Sequence, residues 1–517
     1  MKKSNAIQCV IALLVVVCMC LSMCACRDDD IELSSMQSES TTIGGDITDT
    51  DTADSSSNTI DGTSSGDTSD DSSDSDSKPD ISTPSSGNND NDDNDDNDLP
   101  SETVDNSVKN VFDGNPNTVW IAESRDKTVL EHSFGKMTNF NAIHFNESGN
   151  KIDNVVVEIK GSDGKYTTIY QQDEVGERTG ILDKTVSASN VRITLEYGQK
   201  PVIRDITFEN ITVKRNEPFR VVAYYTKNDE GNRNNFDKLD VMTDLIINGY
   251  TSFNAAGDLV WDTKEKMESV LQELKTAIGS RDIDLWFCIG SYSAGTDTSK
   301  LFVDAAARKK LINTCVEITK KYGFVGIDVD YEYPYEQSNW DNYSVFLVEL
   351  KAALKKEGKM LSTAQGPWGV GLSDEAINAI DYVNIMAYDL DDDKGRHSGY
   401  ELVQSSTEYF VNLGFPKSKL VMGLAFYGHS TTNKSDPMSG QPYYYYVQRF
   451  RNALKTYTNE LGGYYFTGRD MNRDKTYYCI EEGLSGVFAW HFACDIEYTD
   501  ERSLWRAVGE TVDRFVK

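Results

Sequence analysis

Gly326-Ile327-Asp328-Val329-Asp330-Tyr331-Glu332-Tyr333-Pro334 is the stretch from which the rest of the chain can be read. Successive side chains of an extended strand point to opposite faces. Asp328, Asp330 and Glu332 therefore share one face, and Ile327, Val329 and Tyr331 share the other. A solvated acidic edge would not place apolar residues at every second position. Three like charges at the end of a buried strand raise one another's pKa. Crowding of this kind keeps one carboxyl protonated near neutral pH, which is what a general acid needs.

Similar apolar runs lie on both sides of this strand. Upstream are 220–225, 245–250 and 285–290; downstream are 360–364, 382–388, 420–425 and 486–490. Amphipathic stretches such as 267–278 and 345–355 separate them. Alternating strands and helices in about 300 residues predict an α/β fold, a (β/α)8 TIM barrel over 218–517. Functional groups in that fold sit at the C-terminal ends of the strands.

Several of these runs, in order, resemble family 18 of the glycoside hydrolases, the chitinase family. Asp328, Asp330 and Glu332 match three of the four acids of its Asp-x-x-Asp-x-Asp-x-Glu signature. Tyr224-Tyr225 matches the aromatic pair ending the first strand, and Phe253 follows the second. Met386-Ala387-Tyr388-Asp389 matches its Met-x-Tyr-Asp, and 423–428 and 486–490 match its seventh and eighth strands, the last with Trp490. Val325 replaces the first acid, and Cys288 stands where the third strand usually carries serine, a stronger hydrogen-bond partner. Both changes weaken the expected support of Asp328.

The resemblance implies retaining, substrate-assisted hydrolysis of β-1,4 bonds at N-acetylglucosamine, an exception to the two-carboxylate scheme. It implies Glu332 as proton donor, Asp330 as partner of the substrate's acetamido N–H, and Asp328 as sharer of a proton with Asp330. Tyr388 would hold the acetamido oxygen and Trp490 would floor the sugar. Asp389, Met386, Tyr225 and Phe253 would shape the pocket. No cofactor is implied for catalysis. Only about sixty residues separate Tyr427 from Gly486. A shallow cleft and endo cleavage are expected, with a helix over 445–461. Tyr443 to Tyr446 are candidates for stacking on sugars or packing inside. An endo-β-N-acetylglucosaminidase of the N-glycan core, a peptidoglycan hydrolase and an inactive sugar-binding lectin are the alternatives.

The front of the chain reads differently. Lys2 and Lys3 precede an apolar run ending Leu21-Ser22-Met23-Cys24-Ala25-Cys26, which resembles a bacterial lipoprotein box. Residues 1–26 are expected to be a signal peptide with Cys26 (or Cys24) lipidated, tethering the protein to the outer side of the bacterial cell membrane; a permanent transmembrane anchor, or a secreted protein, is the alternative. Residues 27–99 carry 22 acidic and 2 basic residues and almost no large apolar ones. Such a segment cannot offset its ordering entropy, so a disordered linker is expected. Residues 100–215 hold short strand-like runs at 142–145, 155–159, 191–195 and 205–208, which suggest an antiparallel sandwich. The stretch 111–120 resembles the opening of discoidin-like (coagulation-factor type C) modules. That implies a jelly-roll and a structural calcium site at Asp113, Thr118 and Glu209.

The net charge of −32 argues against nucleic acid as a partner, since phosphate binding needs clustered Lys and Arg. An N-acetylglucosamine-containing polysaccharide or glycan is the expected partner of a monomer. Five of the nine cysteines lie in the leader. Cys288, Cys315, Cys479 and Cys494 form no Cys-x-x-Cys pair and read as buried small residues, with one disulfide left open. The five histidines make no His-Glu-x-x-His arrangement.

Overall fold

A computed structural model describes residues 106–517 except 213–214, 227–232, 292–298, 333 and 335. The leader with Cys24 and Cys26 and the acidic linker lie outside the described residues. Among the described residues, no helix is long and apolar enough to cross a membrane.

The first lobe is a six-stranded antiparallel sheet. Its strands are β1 (Trp120–Ile121), β2 (Lys127–Ser148), β3 (Ile152–Lys160), β4 (Tyr166–Gln172), β5 (Glu177–Tyr197) and β6 (Val202–Glu209). They lie in the order β1-β6-β2-β5-β3-β4 within one hydrogen-bonded sheet. The long β2 and β5 form its spine, and their register shifts between Ser133 and Thr138. Alternate residues such as Val155 and Val157 or Val191, Ile193 and Leu195 turn inward onto Trp120 and Phe140.

The second lobe is a closed parallel barrel. Its eight strands are β7 (Arg220–Thr226), β8 (Asp244–Asn248), β11 (Asp284–Ser291), β12 (Gly326–Tyr331), β13 (Met360–Gln365), β14 (Tyr382–Ile385), β15 (Leu420–Ala425) and β19 (Gly486–Trp490). Each pairs in parallel with the next, and β19 returns to β7. A hairpin of β9 (Thr251–Phe253) and β10 (Leu259–Trp261) follows β8. A small sheet of β16 (His429–Ser430), β17 (Glu460–Leu461) and β18 (Tyr464–Tyr465) follows β15.

The covering helices are α1 (Lys264–Ile278), α2 (Ser299–Val303), α3 (Ala305–Tyr322), α4 (Gln337–Lys356), α5 (Asp374–Ala379), α6 (Tyr400–Asn412), α7 (Tyr443–Phe450), α8 (Arg469–Glu481) and α9 (Leu504–Phe515). The first crossover uses a 3-10 helix, Arg233–Val241. Helix α3 shows how the ends are set. Asp304 accepts from the N–H groups of Ala306 and Ala307 at its start. Gly323, at φ +78°, ends it in a conformation that glycine adopts without steric cost.

Period-two alternation splits the barrel's apolar residues into two sets. Val221, Ala223, Tyr225, Ile327, Val329 and Tyr331 pack outward with the helices. Val222, Tyr224, Trp286, Cys288, Met386, Tyr388 and Phe488 fill the interior. The helix expected over 445–461 is shorter and starts earlier, as α7, because Arg451 takes a positive φ and the chain turns into β17. Tyr443 and Tyr446 are buried, while Tyr445 is exposed. The four described cysteines are buried and form no disulfide with one another.

The lobes meet at α8. Its sequence, RDMNRDKTYYCIE, reads as a solvated helix, yet nearly all of it is buried. Asp474 receives Arg178 Nη2 at 2.7 Å, the Tyr170 hydroxyl at 2.8 Å and the Ile181 N–H at 3.0 Å, all from the sheet lobe. Burying a charge is tolerated when it is paired in this way.

Candidate active site

The acid row lies where β12 leaves the barrel. Asp328 and Asp330 point inward and are buried; Glu332, one residue past the strand, is half-buried. Asp328 sits at the base of the row. Its Oδ1 accepts from Ser362 Oγ of β13 at 2.6 Å and from Asn384 Nδ2 of β14 at 3.1 Å. Its Oδ2 accepts from the Tyr224 hydroxyl of β7 at 2.9 Å. The Cys288 thiol also hydrogen-bonds it, so the residue in the serine position still serves as a partner. Burial pushes the Asp328 carboxyl above its ordinary value, against the pull of these donors.

Tyr388 follows β14. Burial, then the nearby charges of Asp330, Asp389 and Glu332, hold its phenol far above the usual range. It is therefore a hydrogen-bond donor at any working pH. Gly423 on β15 makes room for it, since a Cβ there would lie 2.9 Å from the Tyr388 ring and 2.5 Å from the Ile385 carbonyl. Trp490, at the end of β19, is half-buried with its ring 5.6 Å from that of Tyr224. Met386 belongs to the same interior cluster.

Asp389 adopts φ +61°, a left-handed conformation uncommon outside glycine. Its Oδ1 accepts from the Tyr427 hydroxyl at 2.6 Å, and its N–H donates to His397 Nε2 at 2.9 Å. Burial would raise its pKa, but His397, His429 and Tyr427 outweigh burial and lower it. Asp389, His397 and His429 bring three donor atoms within 4.8 Å of one another, of the types zinc takes. The Asp389 N–H already occupies His397 Nε2, however, and the two imidazoles stack with centroids 3.9 Å apart. Within the trio His397 is hydrogen-bonded to Asp389, whereas His429 Nε2 stands 3.8 Å from Asp389 Oδ1 and is held by stacking on His397.

Two pocket assignments are corrected by placement. Tyr225 packs on Phe492, and Phe253 on Phe302 and Tyr331, in the layer between strands and helices. Alternation along β7 turns Tyr224 inward in place of Tyr225. Of the three calcium candidates, the structure joins Asp113 and Thr118 and places Glu209 elsewhere. Thr118 Oγ1 donates to the Asp113 carboxylate, but the acid beside that loop is Asp205, which accepts from the Gly114 N–H at 3.4 Å. Glu209 ends β6 opposite Ala142 and lines a separate cavity of about 300 Å³ with His144, Thr179 and Glu481.

Sequence reading missed Ser362, Asn384, Tyr224, His397 and His429 as parts of the site. For the first three a signal existed: a polar residue at an inward position of an otherwise apolar strand. The histidines follow no motif.

Residues 220–495 match the family model of glycosyl hydrolases family 18. A probable chitinase of Drosophila melanogaster is 27% identical over 270 residues, which is 44% of this chain but 12% of that protein. A class V chitinase of Arabidopsis thaliana is 25% identical over 278 residues, 43% of this chain and 71% of that one. The chain thus spans very different shares of the curated relatives it matches. A crystallised chitinase from Bacteroides thetaiotaomicron shares the fold, with TM-score 0.51 and 22% identity over 57% of this chain and 96% of that one. The family match takes in more than half the chain, every barrel strand and the whole acid row, and the chain belongs to family 18 of the glycosyl hydrolases.

Proposed function

We propose that this chain is a retaining, endo-acting hydrolase of chitin-like polysaccharide, cutting β-1,4 bonds at N-acetylglucosamine with the substrate's acetamido group as nucleophile. One observation carries the reading. Asp328 is fully buried and reached by neutral donors only among the contacts described, so its proton stays negotiable while its geometry does not. A row built on such a base can pass a proton between Asp328 and Asp330 as charge develops on the substrate.

In this mechanism Glu332 gives its proton to the leaving glycosidic oxygen, and the acetamido carbonyl closes onto C1 as an oxazolinium ion. Asp330 accepts from the acetamido N–H and offsets the positive charge. The Tyr388 hydroxyl, held protonated, donates to the acetamido oxygen. Trp490 floors the sugar. Glu332 then deprotonates the water that opens the ring. Endo cleavage is read from the brevity of the segment between Tyr427 and Gly486, where a small sheet and α7 lie and a shallow cleft is expected. The sheet lobe is the discoidin-like module of this scheme. The leader tethers the enzyme through a lipid on Cys26 or Cys24.

The experiment is product mapping on partly deacetylated chitosan, with a high-mannose glycopeptide and peptidoglycan run in parallel. N-acetylated sugars are expected at every new reducing end. A substantial fraction of glucosamine ends would mean direct attack by a protein carboxylate and would sink the mechanism. Cleavage of the glycopeptide or peptidoglycan alone would replace the substrate. Glu332→Gln should bind substrate but turn it over at least about 100-fold more slowly, because an amide has no proton to give.

A further inference from the structure

The segment 389–399, which follows Tyr388, is held in an unusual backbone. Asp389 and Ser398 both have positive φ, +61° and +55°. Non-glycine residues stay in that region only when their surroundings impose it. Inside the segment, buried His397 accepts the Asp389 N–H, and the Ser398 N–H donates to the Leu390 carbonyl at 3.0 Å. Arg396 Nε donates to Asp392 Oδ2 at 2.6 Å.

The outer grip comes from the sheet lobe. In the turn after β4, the Asp173 carbonyl accepts from Arg396 Nη1 at 3.1 Å, and Glu174 Oε2 lies 3.6 Å from Arg396 Nη2. Glu174 Oε1 accepts from the Tyr400 N–H at 2.5 Å, where α6 begins. The Glu174 carbonyl accepts from Arg178 Nη1 at 3.1 Å, so the turn is itself anchored. From the barrel side, Lys475 of α8 donates to the Ser398 carbonyl. These groups are buried, where an unmade hydrogen bond carries its full desolvation penalty. A sheet acting only as a spacer would not need its charged turn here.

We infer that the sheet lobe is a working part of the catalytic apparatus: Glu174, acting through Arg396, Tyr400 and His397, positions Asp389 and Tyr388. Glu174 is a positioning residue and touches no substrate. The inference rests on the functional reading above for its kinetic test, but not for its structural one.

Glu174→Gln in the full chain keeps the shape and removes the charge facing Arg396. On N-acetylglucosamine oligomers, kcat should fall roughly 3- to 30-fold with KM little changed, the range for coupling through a contiguous network. The 15N-histidine NMR signal of His397 Nε2 should shift in the same variant, because that nitrogen's acceptor bond is what the turn supports. Lys127→Met, on an exposed pair of the same lobe, should move neither reading. The double variant Glu174→Gln with His397→Gln should lose no more kcat than the larger single loss. Arg396→Lys, which keeps the charge but cannot span Asp173 and Asp392 together, repeats the test if Glu174→Gln does not fold. A folded Glu174→Gln with wild-type kcat and an unmoved His397 signal overturns the inference. So does a loss of kcat with His397 unmoved, which would mean general softening. If the chain does not cleave these oligomers, the substrate reading fails by itself, and the His397 signal still decides the coupling.

Discussion

Asp328 and Asp474 are both fully buried carboxylates, yet the chain surrounds them with opposite chemistry. Asp328, inside the barrel, is met by a phenol, a hydroxyl, an amide and a thiol. Asp474, between the lobes, is met by Arg178 at 2.7 Å, with Arg473 at 3.4 Å. Neutral donors fix where a carboxylate sits without fixing its proton. A guanidinium fixes the charge as well. The first arrangement suits a group that must exchange a proton during a reaction, and the second suits one that joins two lobes. Losing a partner therefore has different consequences at the two places: a rate falls at one, and a fold loosens at the other.

The sharpest way to break this contrast is to neutralise each acid. Asp328→Asn should lower kcat by roughly 100- to 10,000-fold while the melting temperature holds or rises, since a buried ionisable group has gone and its neutral neighbours can reorient. Parallel kinetics and thermal melts check this. A large drop in melting temperature would show that Asp328 is mainly structural. Asp474→Asn should do the reverse. It leaves Arg178 buried without its counter-charge, a loss of about 3–5 kcal/mol in unfolding free energy by urea titration. Its effect on kcat should be no larger than that of Glu174→Gln.

Acid should then separate the site from the rest. Burial, followed by the charge of His429, lowers the His397 pKa from 6.5 to about 4, while Asp389 and Asp391 pull the other way. Lys434 pairs with Asp391 across the same space. In the unfolded chain the imidazole takes up its proton near 6.5; in the folded chain it refuses until about 4. The stability tied to neutral His397 is thus complete above 6.5 and lost as pH falls through that window, on the order of 3 kcal/mol. Asp173 works against it. Burial raises its pKa to about 6, so between 3.8 and 6 the folded state holds the extra proton and gains from acid. Comparing the wild type with His397→Gln removes this opposing contribution. The stability gap between them should narrow steadily from pH 7 to pH 4, and a constant gap would rule out the titration.

The two regions also differ in how far a sequence discloses them. The acid row was legible because period two is absolute in a strand, so the faces of Asp328, Asp330 and Glu332 follow from their spacing. The same rule, applied to Val222 and Tyr224, would have chosen Tyr224 over Tyr225. Ser362 and Asn384 depend on register between strands, which pairs Cys288 and Ser362 with Asp328 and sets Asn384 beside Ala364. A single chain does not state that register. The α8 interface was illegible for another reason. A polar helix reads as solvated unless its covering partner is known, and here the partner lies far upstream, 296 residues away for Arg178 and Asp474. The stacked histidine pair combines both difficulties.

The smallest expected effect tests how much the identity of a neutral donor matters. Cys288 occupies the position on β11 directly beside Asp328 in the sheet register and hydrogen-bonds its carboxylate. A thiol is a weak donor and a hydroxyl a stronger one, but the shorter C–O bond carries the serine oxygen back from the acid. Cys288→Ser should therefore change kcat by no more than about threefold, corresponding to a difference below about 1 kcal/mol. Three other donors already hold Asp328 in place, from Ser362, Asn384 and Tyr224. If the contrast between the two acids is right, removing one of those should cost more than altering the thiol. Ser362→Ala, which deletes the shortest of them at 2.6 Å, is the comparison to make. A Cys288→Ser variant that loses more rate than Ser362→Ala would show that the thiol carries the support, and that the neutral donors do not act interchangeably.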